Sequence, residues 1–401
     1  MPFIGNTPAQ VPLTSADIAD GIITSAKIVD GTIVNADINA SAAIASTKLS
    51  GITSPAAFRN IVINGDMQVA QRSTSVASIS SGNTYNALDR FRVDINSLGT
   101  WTMSQSTDVP SGYGFSNSLK MDCTTADASP AAGDVLLIQT RFEGQNLQYL
   151  KKGTANAQSL TLSFWVKSTK TGTFICNLID DTNARLNAQS YTVSVSNTWE
   201  FKTVTFPADT TGTLANTNGS ALSLSFWLGA GTDFTSGTLQ TTWASTVNTN
   251  RAVGQVNCAD STSNDWLITG VQLEAGTSAT DFEFLPIDVS KKRCKRYFQK
   301  TTTGIYRFQG SWIGLHWSGT AHIGSWSTDT ELRTDSTVAY AGSFQVLGGG
   351  STAAGYTPSG GNQHAYGWIQ VTMSGTQRAS DQTLTCYSEN ASTFISFDAE
   401  L

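Results

Sequence analysis

Residues 265–300, DWLITGVQLEAGTSATDFEFLPIDVSKKRCKRYFQK, most tightly limit how this chain can fold. Leu267, Ile268, Val271 and Leu273 read as a closing strand, stopped by the turn residues Ala275, Gly276, Thr277 and Ser278. Residues 281–285 then run extended, and Pro286 keeps the residue before it out of the helical region. Asp288 or Ser290 caps a short basic helix that continues through Phe298. A strand, a stiff link and a short helix in that order close one β-domain and hand the chain to another. The 401 residues are therefore several domains and not one globule.

The rest of the chain agrees with an all-β reading. Only 13% of residues are charged, about half the usual share. Glycine, at 35 residues, punctuates segments rich in Ser, Thr and Asn, and the residues that build long helices are scarce. Leu160, Leu162, Phe164 and Val166 alternate with other residues, as do Leu222, Leu224, Phe226 and Leu228. The two strands echo each other as LSFWV and LSFWL. Alternation puts Trp165 and Trp227 on the face away from the main apolar row, where each is either covered by a loop or subunit or free to stack on a ring.

The first 55 residues repeat with a period of ten. Leu13 and Ile18, Ile23 and Ile28, Ile33 and Ile38, then the slipped pair Ile44 and Leu49 recur, with Asp20-Gly21, Asp30-Gly31 and Ser50-Gly51 as turns. Two apolar residues in ten cannot bury a core within one chain, so such units stack on neighbours or other subunits. Three chains around one axis give each level a small Ile/Leu cluster, which predicts a homotrimer.

Several stretches carry a resemblance. Residues 60–72, NIVINGDMQVAQR, the Leu88-Asp89-Arg90-Phe91 strand, the closing VQLEAG, and Cys294-Lys295-Arg296-Tyr297-Phe298 resemble the carbohydrate-binding-like jelly-roll module of phage tail fibres, as in cyanophage and other marine phage fibres. The decapeptide front is similar to their trimeric shafts. The resemblance implies an N-terminal short-repeat trimeric shaft (1–55) docked on phage tail or adaptor proteins, a central jelly-roll β-sandwich (56–287), a short connector helix (288–300) and a C-terminal β-sandwich tip (301–401). It places the protein in the virion tail, made in the host cytoplasm.

The tip holds the aromatics Trp312, Trp317, Trp326, Tyr366 and Trp368 and all three histidines, His316, His322 and His364. Sugar recognition needs flat aromatic faces and neutral polar groups, and Trp312, His316, Trp317, Trp326, Gln363, His364, Tyr366 and Trp368 supply them, with Trp165 and Trp227 as candidates in the jelly roll. The partner expected is a host cell-surface polysaccharide such as lipopolysaccharide. Lys291, Lys292, Arg293, Lys295, Arg296 and Lys300 form a basic face, read as solvated or as a contact for anionic groups. A net charge of −6 argues against a nucleic-acid binder, and no run of about 18 apolar residues predicts membrane insertion.

No catalytic constellation emerges: GxSxG, HExxH and a phosphate-binding glycine loop are missing. Asp180-Asp181 and Asp281/Glu283 read as solvated loop carboxylates, with Asp180 and Asp181 diverging. The five cysteines are widely spaced and read as free thiols, so no metal or cofactor is expected. Glycan binding without catalysis is the leading reading. A structural adaptor fibre that binds only virion proteins and a polysaccharide depolymerase are the alternatives.

Overall fold

A computed structural model of the chain describes residues 58–300, 313–318, 321–327, 330–341, 344–348, 351–360, 368–374, 385–388 and 394–401. Side chains between 301 and 393 are described only at 330–339 and 341. The repeat residues Leu13, Ile18, Ile23, Ile28, Ile33, Ile38, Ile44 and Leu49 lie outside the described residues.

The chain is mostly β, as its composition predicts. Eleven strands come first: β1 (Ser75–Thr84), β2 (Arg92–Ser106), β3 (Ser118–Thr125), β4 (Val135–Glu143), β5 (Leu160–Ser168), β6 (Gly172–Asp180), β7 (Arg185–Val193), β8 (Glu200–Phe206), β9 (Ser220–Ala230), β10 (Ala244–Ser245) and β11 (Asp265–Ala275). A one-turn helix α1 (Thr232–Thr235) follows β9, and α2 (Ile287–Lys295) follows β11. Hydrogen bonding runs β10-β7-β6-β9-β4-β2-β3-β11-β5-β8, all antiparallel, with β1 on β2.

That single path makes two layers because β2 turns a corner. Its first half pairs with β4 and its second half with β3. Between them Asn96 and Ser97 both face Val135, with Ser97 at φ 58° and Gly99 at φ 73°. A bulge of this kind bends a strand and lets it serve two sheets. A side chain on Gly99 would strike the Thr125 carbonyl, at 2.5 Å from an added Cβ. Rings lock the layers together: Phe164 of β5 meets Phe226 of β9 at 5.1 Å and Tyr191 of β7 at 5.0 Å, and Phe226 meets Trp266 of β11 at 6.0 Å. The rows Leu160/Leu162/Phe164/Val166 and Leu222/Leu224/Phe226/Leu228 all lie in this core, as their alternation requires.

The basic helix departs from expectation at both ends. It starts at Ile287 with Pro286 as N-cap and no side-chain capping bond, so neither Asp288 nor Ser290 is the cap; the Ser290 amide donates to the Pro286 carbonyl instead. It stops at Lys295, because Phe298–Lys300 leave it as strand β12. This strand pairs with β20 (Phe394–Asp398), which pairs with β15 (Thr337–Ala341). A six-stranded sheet contains β13 (Ile313–Ser318), β14 (Ala321–Ser327), β16 (Phe344–Gly348), β17 (Ser351–Gly360), β18 (Trp368–Ser374) and β19 (Thr385–Ser388).

Stretches far apart in sequence converge on this root. Arg90, 1% exposed, pairs with Glu400 and lies 3.5 Å over the Tyr297 ring. Arg72 contacts Asp398 at 2.9 Å and Glu400 at 3.3 Å and lies 3.7 Å over Phe298. Gln71 donates to the Phe298 carbonyl at 2.9 Å and to the Asp89 carboxylate. Burial pushes the Asp89 carboxyl up to about 6, against the hydrogen bonds from Gln71. The Gln71-Arg72, Asp89-Arg90 and Tyr297-Phe298 motifs thus form one buried socket for the C-terminal residues.

The basic face is also partly internal. Arg296 makes two bonds to Glu143 at 2.8 and 2.9 Å, Arg293 lies 5.6 Å from the Phe58 ring centroid, and Lys300 donates to the Arg72 carbonyl at 3.0 Å.

Candidate functional site

The outer face of the β3-β11-β5-β8 layer carries an aromatic groove of about 570 Å³. Strand alternation turns Ser163 and Trp165 of β5 away from the core. On the edge strand β8, Phe201 stands directly opposite Trp165, with ring centroids 5.4 Å apart. On the other side Thr269 of β11 is opposite Trp165, and the ladder is interrupted between Thr269 and Gln272.

Two irregular segments complete the groove. The loop between β2 and β3 brings Tyr113 to 4.2 Å from the Trp165 ring. Gly112 and Gly114 flank it at φ 85° and 83°, a conformation that favours glycine. Asp108 fastens this loop to the sheet through Lys167 at 2.6 Å and the Trp199 indole at 2.9 Å. Burial works against the ionised form, yet those two bonds hold the Asp108 carboxyl below its ordinary value. Phe115 lies down on Gly270, where an added Cβ would be 2.6 Å from its ring.

The segment after β11 folds back as the other wall. Thr280 donates to Glu274 twice, at 2.8 and 2.7 Å, and the Glu283 amide donates to Gln272 at 2.8 Å. That anchoring sets Phe282 and Phe284 against Phe115, at 5.2 and 5.1 Å. Tyr113, Phe201 and Phe284 are 56%, 48% and 47% exposed, so three aromatic faces are open to water around Trp165. Ser163, Thr280 and Asp281 add polar atoms to the lining. Flat rings interrupted by hydroxyl and carboxylate groups suit a ligand with apolar C–H faces and a hydroxylated rim.

Trp227, the other jelly-roll candidate, is not available. It is fully buried, packed with Leu137, Ile175, Ala188 and Ala252 beneath the segment that follows β9. Phe234 lies 5.5 Å from its ring and the Arg251 guanidinium 5.1 Å over it. Of the two fates the alternation left open, covering applies here.

The tip candidates are described only as backbone or not at all. Trp312, Gln363, His364 and Tyr366 lie outside the described residues. His316 and Trp317 fall on β13, Trp326 on β14 and Trp368 on β18. His316 pairs with His322, Trp326 with Ile369 and Trp368 with Ser327.

Asp180, Asp181 and Glu283 take structural bonds, whereas Asp281 is exposed in the groove lining. Asp180 is fully buried and not a solvated loop residue: it accepts from the Thr182 and Asn183 amides at 2.9 Å and pairs with Lys152, which also meets Asp209 at 2.8 Å. Asp181 does diverge from it, taking the Ser223 hydroxyl at 2.6 Å. Glu283 accepts from the Phe58 and Asn60 amides at 2.6 and 2.9 Å. Cys123, Cys176, Cys258 and Cys294 are buried free thiols.

No family model matches the chain, and no curated protein does. Solved structures similar to it include tailspike protein 4 of bacteriophage CBA120 (enzymatically active domain), at 16% identity and TM-score 0.28, covering 54% of this chain and 21% of that one. A putative sugar-binding protein from Bacteroides thetaiotaomicron matches at 11% identity and TM-score 0.29, over 54% of this chain and 99% of that one. A family 11 carbohydrate-binding module from Clostridium thermocellum, in complex with a mixed-linked tetrasaccharide, matches at 10% identity and TM-score 0.24, over 53% and 95%.

Proposed function

We propose that this protein binds a cell-surface glycan in the groove around Trp165, without cleaving it. The observation that carries the reading is the ring set itself. Tyr113, Phe201 and Phe284 stay exposed around the half-buried Trp165. Exposed aromatic clusters on a stable sheet are binding surfaces as a rule. If stacking on a sugar resembles stacking on a base, each ring is worth about 1–3 kcal/mol.

On the motif resemblance we further propose that the chain is a phage tail fibre. In that reading its N-terminal repeats trimerise and attach it to the virion, and the jelly roll contacts the host. Three weak sites per trimer, multiplied over several fibres, hold a particle even when one site binds at about millimolar strength.

Titrating the full-length protein against a panel of bacterial surface polysaccharides, with intrinsic tryptophan fluorescence as readout, tests the groove. At least one polysaccharide should bind saturably, and by calorimetry Trp165→Ala should weaken that binding by about 1–3 kcal/mol while the protein stays folded. Equal binding by a folded Trp165→Ala variant would remove the site. Release of reducing ends from the bound polysaccharide would replace binding with a depolymerase.

A further inference from the structure

Among the described residues the buried cations are nearly all neutralised. Arg72 and Arg90 face Glu400, Lys152 faces Asp180 and Asp209, Arg185 faces Asp209, and Arg296 faces Glu143. Arg251 and Arg293 lie over the Trp227 and Phe58 rings. Arg92 has neither kind of partner. It is 6% exposed, its Nε is unpartnered, and among the described residues it makes no ion pair, side-chain hydrogen bond or ring contact.

Arg92 heads a polar row on the outer face of the other layer, behind the sandwich from the aromatic groove. It stands opposite Gln139, Gln139 opposite Ser225, and Ser225 opposite Asn177. Directly opposed residues share a face, so the four align across β2, β4, β9 and β6. Arg141, two residues beyond Gln139 on β4, is on the same face, and its Nε donates to Gln139 Oε1 at 2.9 Å. Gln139 Nε2 donates in turn to Ser225 Oγ at 3.0 Å, which leaves the Ser225 hydroxyl hydrogen unspent in that bond.

Arg92 and Arg141 thus share a face on neighbouring strands, and neither makes an ion pair among the described residues, although Asp94 shares that face two residues along β2 and Asp181 bonds Ser223, the residue opposite Arg141. Burial and then the Arg141 charge lower the pKa of Arg92, with Tyr85, Asp94 and Asp181 opposing them more weakly. A desolvated cation beside a like charge is costly, and an anion between the two relieves both costs at once. Planar guanidinium forks match carboxylate and phosphate oxygens.

We propose that Arg92 and Arg141 form an oxyanion site, set by Gln139 and Ser225, that takes a carboxylate or phosphate group of a ligand lying along β2 and β4. This site is separate from the aromatic groove and stands without it.

The test uses the full-length protein. Sodium phosphate and sodium galacturonate are titrated in parallel with sodium chloride at matched ionic strength, and heat of binding and thermal midpoint are read. At least one of the two anions should bind saturably and raise the midpoint where chloride does not. Phosphate alone identifies a phosphate ligand, and galacturonate alone a carboxylate. Within the protein Arg141→Gln breaks the bond to Gln139, and with that guanidinium gone the anion should bind roughly tenfold or more weakly, as expected for losing a charged hydrogen bond. Arg92→Gln should do the same where it folds, and Arg141→Gln decides the matter where it does not. No saturable binding of either anion, or undiminished binding by Arg141→Gln, overturns the site.

Discussion

Trp165 and Trp227 sit in nearly the same five residues, LSFWV and LSFWL, on central parts of two long strands, and meet opposite fates. Both point away from the sandwich core. Trp165 is bordered by an edge strand and two irregular segments that leave its neighbours Tyr113, Phe201 and Phe284 exposed. Trp227 is roofed by the segment that follows β9, with Phe234, Leu239 and Ala252 closing over it. Local sequence fixes which face a residue takes; what lies on that face is decided by chain from elsewhere.

The largest effect that can break this comparison is on stability. Trp227→Ala empties a closed satellite core and should cost about 3–5 kcal/mol in denaturant unfolding, whereas Trp165→Ala should cost less than about 1.5 kcal/mol. Equal losses would mean that both tryptophans are structural. The second effect is on binding. Trp165→Ala should lower affinity for the bound glycan by about 1–3 kcal/mol, and Tyr113→Ala by a similar or smaller amount, measured by calorimetry.

A third variant attacks the roof itself. Gly231 starts α1 with its backbone pressed on the Ala131 and Ala132 carbonyls, 1.9 and 2.4 Å from an added Cβ. Gly231→Ala should push the roof outward, cost about 1–3 kcal/mol, and raise acrylamide quenching of tryptophan fluorescence, with glycan binding retained. Unchanged quenching would show that the roof does not depend on this contact.

The smallest effect concerns the socket. The Asp89 carboxyl is pushed up to about 6 from an ordinary 3.8, so the folded state holds its proton where the unfolded chain has lost it. Its contribution to stability is complete below about pH 4 and lost as pH rises through about 6. Asp89→Asn cannot titrate, so its stability relative to wild type should improve between pH 4 and pH 6 and level off above. A difference that stays flat across that range would contradict the burial argument.

Much of the fold was legible. Period-2 alternation named the core rows correctly, and the scarcity of helix formers fixed the class. The helix ends were not legible, because Pro286 supplies the start without a capping side chain and pairing with β20 draws Phe298 into a strand.

The site was half legible. Trp165 followed from alternation; Phe282 and Phe284, two apart in a stretch read as extended, were not singled out, although that spacing puts them on one face. Tyr113 could have been noticed between its two glycines, but nothing local says that its loop crosses to β5. Phe201 becomes a neighbour of Trp165 only through β8 pairing with β5. The arginine socket was visible only as separate motifs, since Arg72, Arg90, Tyr297 and Glu400 meet across more than 200 residues of chain. Asp180 looked solvated because its partner Lys152 is remote in sequence.

The measurement that tests the central claim most directly is glycan binding by wild type and Trp165→Ala, taken on the same samples as their thermal unfolding. The account predicts an unfolding midpoint lowered by no more than a few degrees and an affinity weaker by about 1–3 kcal/mol in the variant, as for loss of one stacking ring. Matching midpoints with matching affinities would contradict it and move the search for a receptor site away from the groove.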